Sequence, residues 1–317
     1  MSAEPARDET SRATGQGRPS VGAPEIDAEG KAYVTGRGSL AERGGVRVET
    51  GGVREEGRRT QYSLAKILGV WALAALPMGL LGWIVFPLLA PDFESDPLGS
   101  GVTRVALLTL GLIWLFVLSM VIVRREEGDL RWATVTRRLR LNAPREPATG
   151  EPRARLWLWV VPFLVAVTVV QLLLSAPIRS AWVSVFPFFA EPAGYGPGAL
   201  FQSRDALARL EGAWWFFALF VANAVFNTVL GEEFLFRGVL LPKMEGVFGR
   251  WSWVANGVLF GLYHVHQPWG MLMSVLTGLL YAFPAYRFRS TWMAVVLHSA
   301  QSVYLALLVL GVVLGLA

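Results

Sequence analysis

The sequence predicts an all-α, polytopic transmembrane helix bundle of about seven spans, preceded by a disordered N-terminal tail. Three observations predict it. Of the 317 residues, 53% are hydrophobic and only 17% charged, against about a quarter charged in ordinary soluble domains. The charges are segregated: residues 1–66 carry 11 Lys/Arg and 10 Asp/Glu, residues 124–155 carry 9 and 5, and 18 remain for the other 219 residues. The 13 Trp and 18 Phe fit the gathering of amphipathic rings at bilayer interfaces. This pattern excludes a cytosolic globular enzyme. The absence of cysteine excludes disulfide scaffolds, Cys-ligated metals and cysteine nucleophiles. The net charge of +5 sits in a loop between spans without any nucleic-acid motif, so no nucleic-acid partner is expected.

Residues 1–60 are rich in Gly, Arg, Glu and Ser and lack an apolar run. They cannot bury enough surface to offset chain entropy, which predicts a disordered tail. Without a hydrophobic stretch there, no cleavable signal peptide is expected. A ~30 Å hydrocarbon core needs about 20 apolar residues. Ile67–Ala90, Val105–Val123 and Leu156–Ala176 meet that need, and a fourth run extends from Ala213 to about Leu241. Ser252–His264 is short, while Met271–Tyr286 and Met293–Leu316 complete the count; Ala181–Ala190 reads as an interfacial or re-entrant piece. The division that follows is a tail (1–60), three spans with a basic loop (61–177), an external loop (178–212) and a C-terminal core (213–317). Arg58, Arg59, Lys66, the 124–155 loop, Lys243, Arg250, Arg287 and Arg289 fall on one side of such a bundle. The positive-inside rule makes that side cytoplasmic, with the N-terminus.

Few ionisable residues lie within the spans: Glu232, Glu233, Arg237, His264 and His298, with His266 at an edge. Charges at membrane depth are costly unless paired or hydrated, so each is a functional candidate. Glu233 and Arg237 are four apart and share a helical face, which predicts an ion pair and leaves Glu232 free. Asn256, Phe260 and His264 recur at four-residue spacing, as do His298 and Ser302. His266 points about 200° away from His264 if that helix continues. Glu232, His264 and His298 fall roughly 15, 18 and 10 Å inward from one membrane face, at 1.5 Å per residue. Two chemistries suit a carboxylate and two imidazoles in one layer. The carboxylate can act as general base on a water, or the three can ligate zinc with an open position. Neither HExxH nor GxSG occurs, no Asp falls inside a span, and no internal repeat suggests a transporter. Gly257, Gly261, Gly270 and Gly278 read as close-packing positions between helices.

Glu232-Glu233-x-x-x-Arg237, then Phe260-x-x-x-His264, then His298 resembles the CAAX prenyl protease 2 family, grouped with Abi proteins as CPBP. The resemblance covers about Ala213 to Leu310. It implies an intramembrane endopeptidase, a glutamate-type hydrolase in which Glu232 activates water and His264 and His298 assist. Glu233, Arg237, Phe260, Ser302, Gln301 and Asn256 are the expected supporting residues. No cofactor is expected; zinc on Glu232, His264 and His298 is the metallopeptidase alternative. The implied substrate is a membrane-embedded or lipid-anchored protein or peptide, reached among membrane lipids in a bacterial inner membrane. The family's last motif places Asn four residues after the final His, where this sequence has Ser302, with Gln301 near the same face. A lost oxyanion donor costs roughly 10²–10³ in rate. The alternative is therefore a catalytically inactive scaffold or immunity-type binding protein on the same fold.

Overall fold

The computed structural model describes residues 61–196 and 200–316, together with a short antiparallel pairing of Glu25–Ile26 with Ala32–Tyr33. The rest of the tail expected to be disordered lies outside the described residues. Six helices among the described residues are long and apolar enough to cross a membrane. They are α1 (Leu64–Leu89), α2 (Pro97–Glu127), α4 (Ala154–Val185), α6 (Trp214–Lys243), α8 (Met271–Arg287, extended by the turn Pro268–Gly270) and α9 (Thr291–Val313). Between them lie α3 (Trp132–Arg138), α5 (Arg204–Leu210) and α7 (Ser252–Tyr263). Large apolar side chains cover the outside, with Leu88 76%, Leu158 71% and Leu172 66% exposed. Such a surface suits lipid and not water. The chain is an integral membrane protein.

The expected count of about seven spans becomes six full-length helices and one short arm. α7 has 12 residues and is about 18 Å long, too short for the hydrocarbon core. It survives because it packs along α8 as a hairpin. A Cβ on Gly261 would fall 2.6 Å from the Val275 nitrogen, and one on Gly257 2.8 Å from the Leu279 nitrogen. Small residues here let the two backbones touch. Gly270 has no such role, since a Cβ there meets nothing within 4 Å. The third span also differs from expectation: α4 continues through a wide π turn at Val170–Leu174 to Val185, so the segment expected as a loop from 178 begins inside a helix.

Local sequence explains the ends of α2. Asp96 accepts a hydrogen bond from the Gly99 N–H at 3.1 Å, Pro97 occupies the first turn, and Gly128 closes the helix at φ 84°. The basic loop folds over one end of the bundle. Arg138 donates to Glu126 at 2.8 Å and to the Gly238 carbonyl at 3.1 Å, while the Thr291 N–H bonds the Arg140 carbonyl at 3.0 Å. Tyr62 ties the start of α1 to the same end through the Lys243 carbonyl at 3.0 Å. At the other end, Arg209 pairs with Asp96 at 2.8 Å and the Gly212 N–H bonds the Val313 carbonyl at 2.8 Å. The two ends are thus chemically distinct, as the charge pattern predicts.

Candidate active site

α6 supplies both glutamates and is not a regular α-helix where it does so. Residues Phe226–Gly231 and Phe234–Leu240 form π turns, and the Glu232 N–H bonds the Asn227 carbonyl five residues back. In a 3.6-residue helix positions 227 and 232 would lie about 140° apart; the wider turn stacks them. With its nitrogen toward the carboxylate, the Asn227 amide donates to both Glu232 oxygens at 3.2 Å. Gly231 makes the turn possible: a Cβ there would fall 2.5 Å from the Phe226 carbonyl oxygen and 2.8 Å from that of Leu112 on α2. π turns of this kind gather at functional sites.

Glu233 and Arg237 form the expected pair, with Nη1 donating to Oε1 at 3.0 Å and both side chains fully buried. Arg237 also donates to the Gly278 carbonyl at 3.0 Å and lies 4.2 Å from the centre of the Phe260 ring. Phe260 thus serves the motif as a platform for the guanidinium. Glu233 has a second partner, the Nδ1 of His298 at 2.9 Å. That bond turns the His298 Nε2 toward Glu232 Oε2, 3.9 Å away, and the ring is stacked on Tyr281 at 4.7 Å.

α7 ends at Tyr263, so His264 stands just past the helix. Its Nδ1 donates to the Phe260 carbonyl at 2.9 Å, which leaves Nε2 as the acceptor in the neutral ring. Because the helix stops, His266 does not point away: its ring stacks on His264 at 5.5 Å. Pro268, which disfavours helix just before it, marks this stop. The Tyr263 hydroxyl is buried beside Glu232 without completing a hydrogen bond. Asn256 is placed elsewhere, donating to the Phe236 carbonyl at 2.8 Å, where it braces the second π turn.

Glu232, His264, His266, His298, Ser302, Gln301 and Phe260 all line one cavity of about 1030 Å³. Gln301 accepts from Gln171 of α4 at 2.8 Å. From the glutamate layer the cavity runs to Phe93, Arg179 and Glu191, toward the end opposite the basic loop. Two histidines with their Nδ1 atoms engaged are the arrangement seen around many metals. The donors do not fit an ion as they stand, however: among the described residues no three His, Asp or Glu side chains converge to hold one.

Residues 213–304 match a family model described as type II CAAX prenyl endopeptidase Rce1-like. They form an Rce1-like domain. Comparison with curated proteins and with solved structures finds no match for the chain. The matched segment carries Glu232, Glu233, Arg237, His264, His298 and Ser302. It supplies only part of the cavity wall. Arg104, Gln171, Arg179 and Glu191, which also line the cavity, come from outside it.

Asn227, Tyr263 and Gln171 are the neighbours that sequence reasoning missed, and His266 is one it named but turned away from His264. For Asn227 the available signal was a polar side chain in an otherwise apolar run, five residues before a glutamate. For His266 it was the proline at 268.

Proposed function

We propose that the chain is a glutamate-type intramembrane endopeptidase acting on a membrane-associated protein or peptide, with no metal in the reaction. The observation that carries this reading is the division of labour between adjacent glutamates. Glu233 is committed to Arg237 and His298, whereas Glu232 faces the cavity and, among the described residues, pairs with no arginine or lysine, the His298 ring lying 3.9 Å away. That gap exceeds a hydrogen bond and suits one bridging water.

In the proposed reaction, Glu232 takes a proton from the water and the oxygen attacks the scissile carbonyl carbon. The Nε2 of His264 accepts a hydrogen bond from the water's other O–H, which stays on the oxygen, and so aims its lone pair. The C–N bond then breaks, and the leaving nitrogen receives the proton held by Glu232, passed through the Nε2 of His298. Ser302 and the amide NH₂ of Gln301 are the donors available to the oxyanion. The basic end of the bundle faces the cytoplasm, by the positive-inside rule. Residues 213–317 make the catalytic core, and residues 61–177 support it.

The test compares membrane proteomes of cells carrying the wild-type chain or Glu232→Ala at matched abundance. Accumulation of an uncleaved membrane-associated protein in the variant supports the peptidase. The alternative is a non-catalytic binding protein on the same fold. Full biological function of Glu232→Ala would decide for it.

A further inference from the structure

A second pocket, of about 470 Å³, opens at the basic end and shares no lining residue with the cavity of Glu232. Arg137, Arg140, Arg145 and Arg289 line it with Thr136 and Asn142, and among the described residues no carboxylate does. Arg137 is engaged by Glu127 at 2.6 Å, and Arg145 donates to the Gly150 carbonyl at 3.0 Å. The guanidinium groups of Arg140 and Arg289 make no ion pair among the described residues, although both face this pocket. Burial holds the Arg140 guanidinium below its ordinary pKa, with Glu245 opposing that and Arg289 and Arg138 adding to it. Like charges gathered this way repel one another unless an anion joins them.

The backbone supplies an independent observation. Among the described residues, Arg140 and Arg289 are the only non-glycine residues with a left-handed backbone, at φ 52° and 48°. Each closes a helix in the same way. Past α3 the Leu141 N–H reaches back to the Thr136 carbonyl at 2.8 Å, and past α8 the Ser290 N–H reaches the Ala285 carbonyl at 3.2 Å. Glycine is the usual residue at the left-handed position of such a closure, because a side chain there is strained. Helix C-termini do favour cations, but Arg137 and Arg138 in α3 and Arg287 in α8 already meet that preference from ordinary helical positions. The two turns are also bonded together: the Asn142 amide donates to the Arg289 carbonyl at 3.1 Å, and the Ser290 hydroxyl to the Asn142 carbonyl at 2.5 Å. Strain kept at two joined positions that carry the same side chain into one pocket is a mark of function. We propose that this pocket binds a phosphate group, held between Arg140 and Arg289. The planar fork of arginine matches phosphate oxygens in bidentate geometry. Trp159, half exposed at the start of α4, packs 6.0 Å from the ring of Phe288, the residue before Arg289. Tryptophan collects at headgroup depth, so an anionic lipid headgroup can reach the pocket as readily as a soluble phosphate. A phosphate there would clamp the basic loop to the turn that starts α9, the helix of His298. The pocket stands whether or not the chain cleaves peptides.

Two arms test it on the full chain in detergent micelles. In the first, native mass spectrometry reads the affinity of the first bound lipid, dioleoylphosphatidylglycerol against dioleoylphosphatidylcholine, whose choline cancels the phosphate charge. In the second, thermal unfolding is compared in sodium phosphate and in sodium chloride at matched ionic strength. A lipid source predicts that phosphatidylglycerol binds about tenfold tighter than phosphatidylcholine, as for hydrogen bonds to a charged group. A soluble source predicts a higher melting temperature in phosphate, with the two lipids bound alike. Either preference should vanish when Arg140→Gly is combined with Arg289→Gly, and should survive Arg125→Gln, which removes an exposed basic charge outside the pocket. Absence of both preferences, persistence in the double variant, or an equal loss in Arg125→Gln overturns the proposal. Stability gives a further readout. Glycine accepts the left-handed backbone freely, so Arg289→Gly, at an exposed position, should melt no lower than the parent in phosphate-free detergent. A clear fall would mean that the arginine serves the fold, and would overturn the proposal too. If the double variant does not fold, Arg289→Gly alone decides by the same readouts.

Discussion

Two adjacent glutamates on one helix carry different burdens because only one of them meets a cation. Glu233 accepts from both Arg237 and His298, at 3.0 and 2.9 Å. Glu233→Gln should therefore lower the yield of folded protein, since an unpaired buried arginine costs roughly 3–5 kcal/mol, and it should loosen His298 as well. Glu232→Gln removes no such pair, and should abolish cleavage while yield and thermal unfolding stay close to wild type. Size-exclusion yield and detergent-solubilised melting, measured beside cleavage, separate the two. Equal activity of Glu232→Gln and wild type would sink the assignment. The metal question also belongs to this scale. Since the donors do not converge on one point, the purified protein is expected to contain less than stoichiometric zinc and to resist chelators. One zinc per chain by elemental analysis, with activity lost on chelation and restored by metal, would decide for a metallopeptidase.

Between residue and bundle stands the π-turned segment of α6, which makes Asn227 a neighbour of Glu232. Its geometry depends on the absence of a side chain at Gly231. Gly231→Ala should destabilise by roughly 1–3 kcal/mol, the usual range for overpacking, because the new carbon meets backbone oxygens of Phe226 and Leu112 and not flexible side chains. Gly270→Ala, with open space around it, should change stability by less than about 0.5 kcal/mol. Thermal unfolding of both variants in the same detergent checks the contrast, and equal melting temperatures would refute it. Among the elements, Glu233–Arg237 and Phe260–His264 were legible because both obey the four-residue spacing of an α-helix. The Asn227 contact was not, because it obeys a five-residue spacing that side-chain pattern alone does not announce. The stacking of His264 on His266 was hidden for the converse reason: continuing a helix past Tyr263 sends the two rings apart.

Across the whole molecule, charge segregation and architecture agree. The basic loop, Lys243 and the 287–291 turn meet at one end of the bundle, while Asp96, Arg209 and Val313 meet at the other. With the basic end in the cytoplasm, a single cysteine replacing exposed Thr149 should escape an impermeant maleimide on intact cells, and one replacing exposed Arg204 should react. The reverse pattern would invert the orientation. The same experiment bears on substrate access, because the cavity runs from Glu232 toward the end that carries Arg179 and Glu191. Under this orientation the substrate would enter from the side away from the cytoplasm.

The sequence by itself determined the class of the molecule, a helical membrane protein, together with the ionisable residues that gather in its last third. Apolar run length and charge segregation are linear properties, set by the thickness of the bilayer and the cost of moving charge through it. The motif spacings are nearly linear too, since a regular helix converts them directly into faces. Tertiary structure decided what depends on departures from regularity or on distant chain segments. It shortened the fifth expected span to a hairpin arm, extended α4 to Val185, and widened α6 so that Asn227 met Glu232. It also carried Arg104, more than a hundred residues before the motifs, to the wall of their cavity. Contacts of that kind arise from packing between helices, and a single chain of letters holds no measure of which faces will meet.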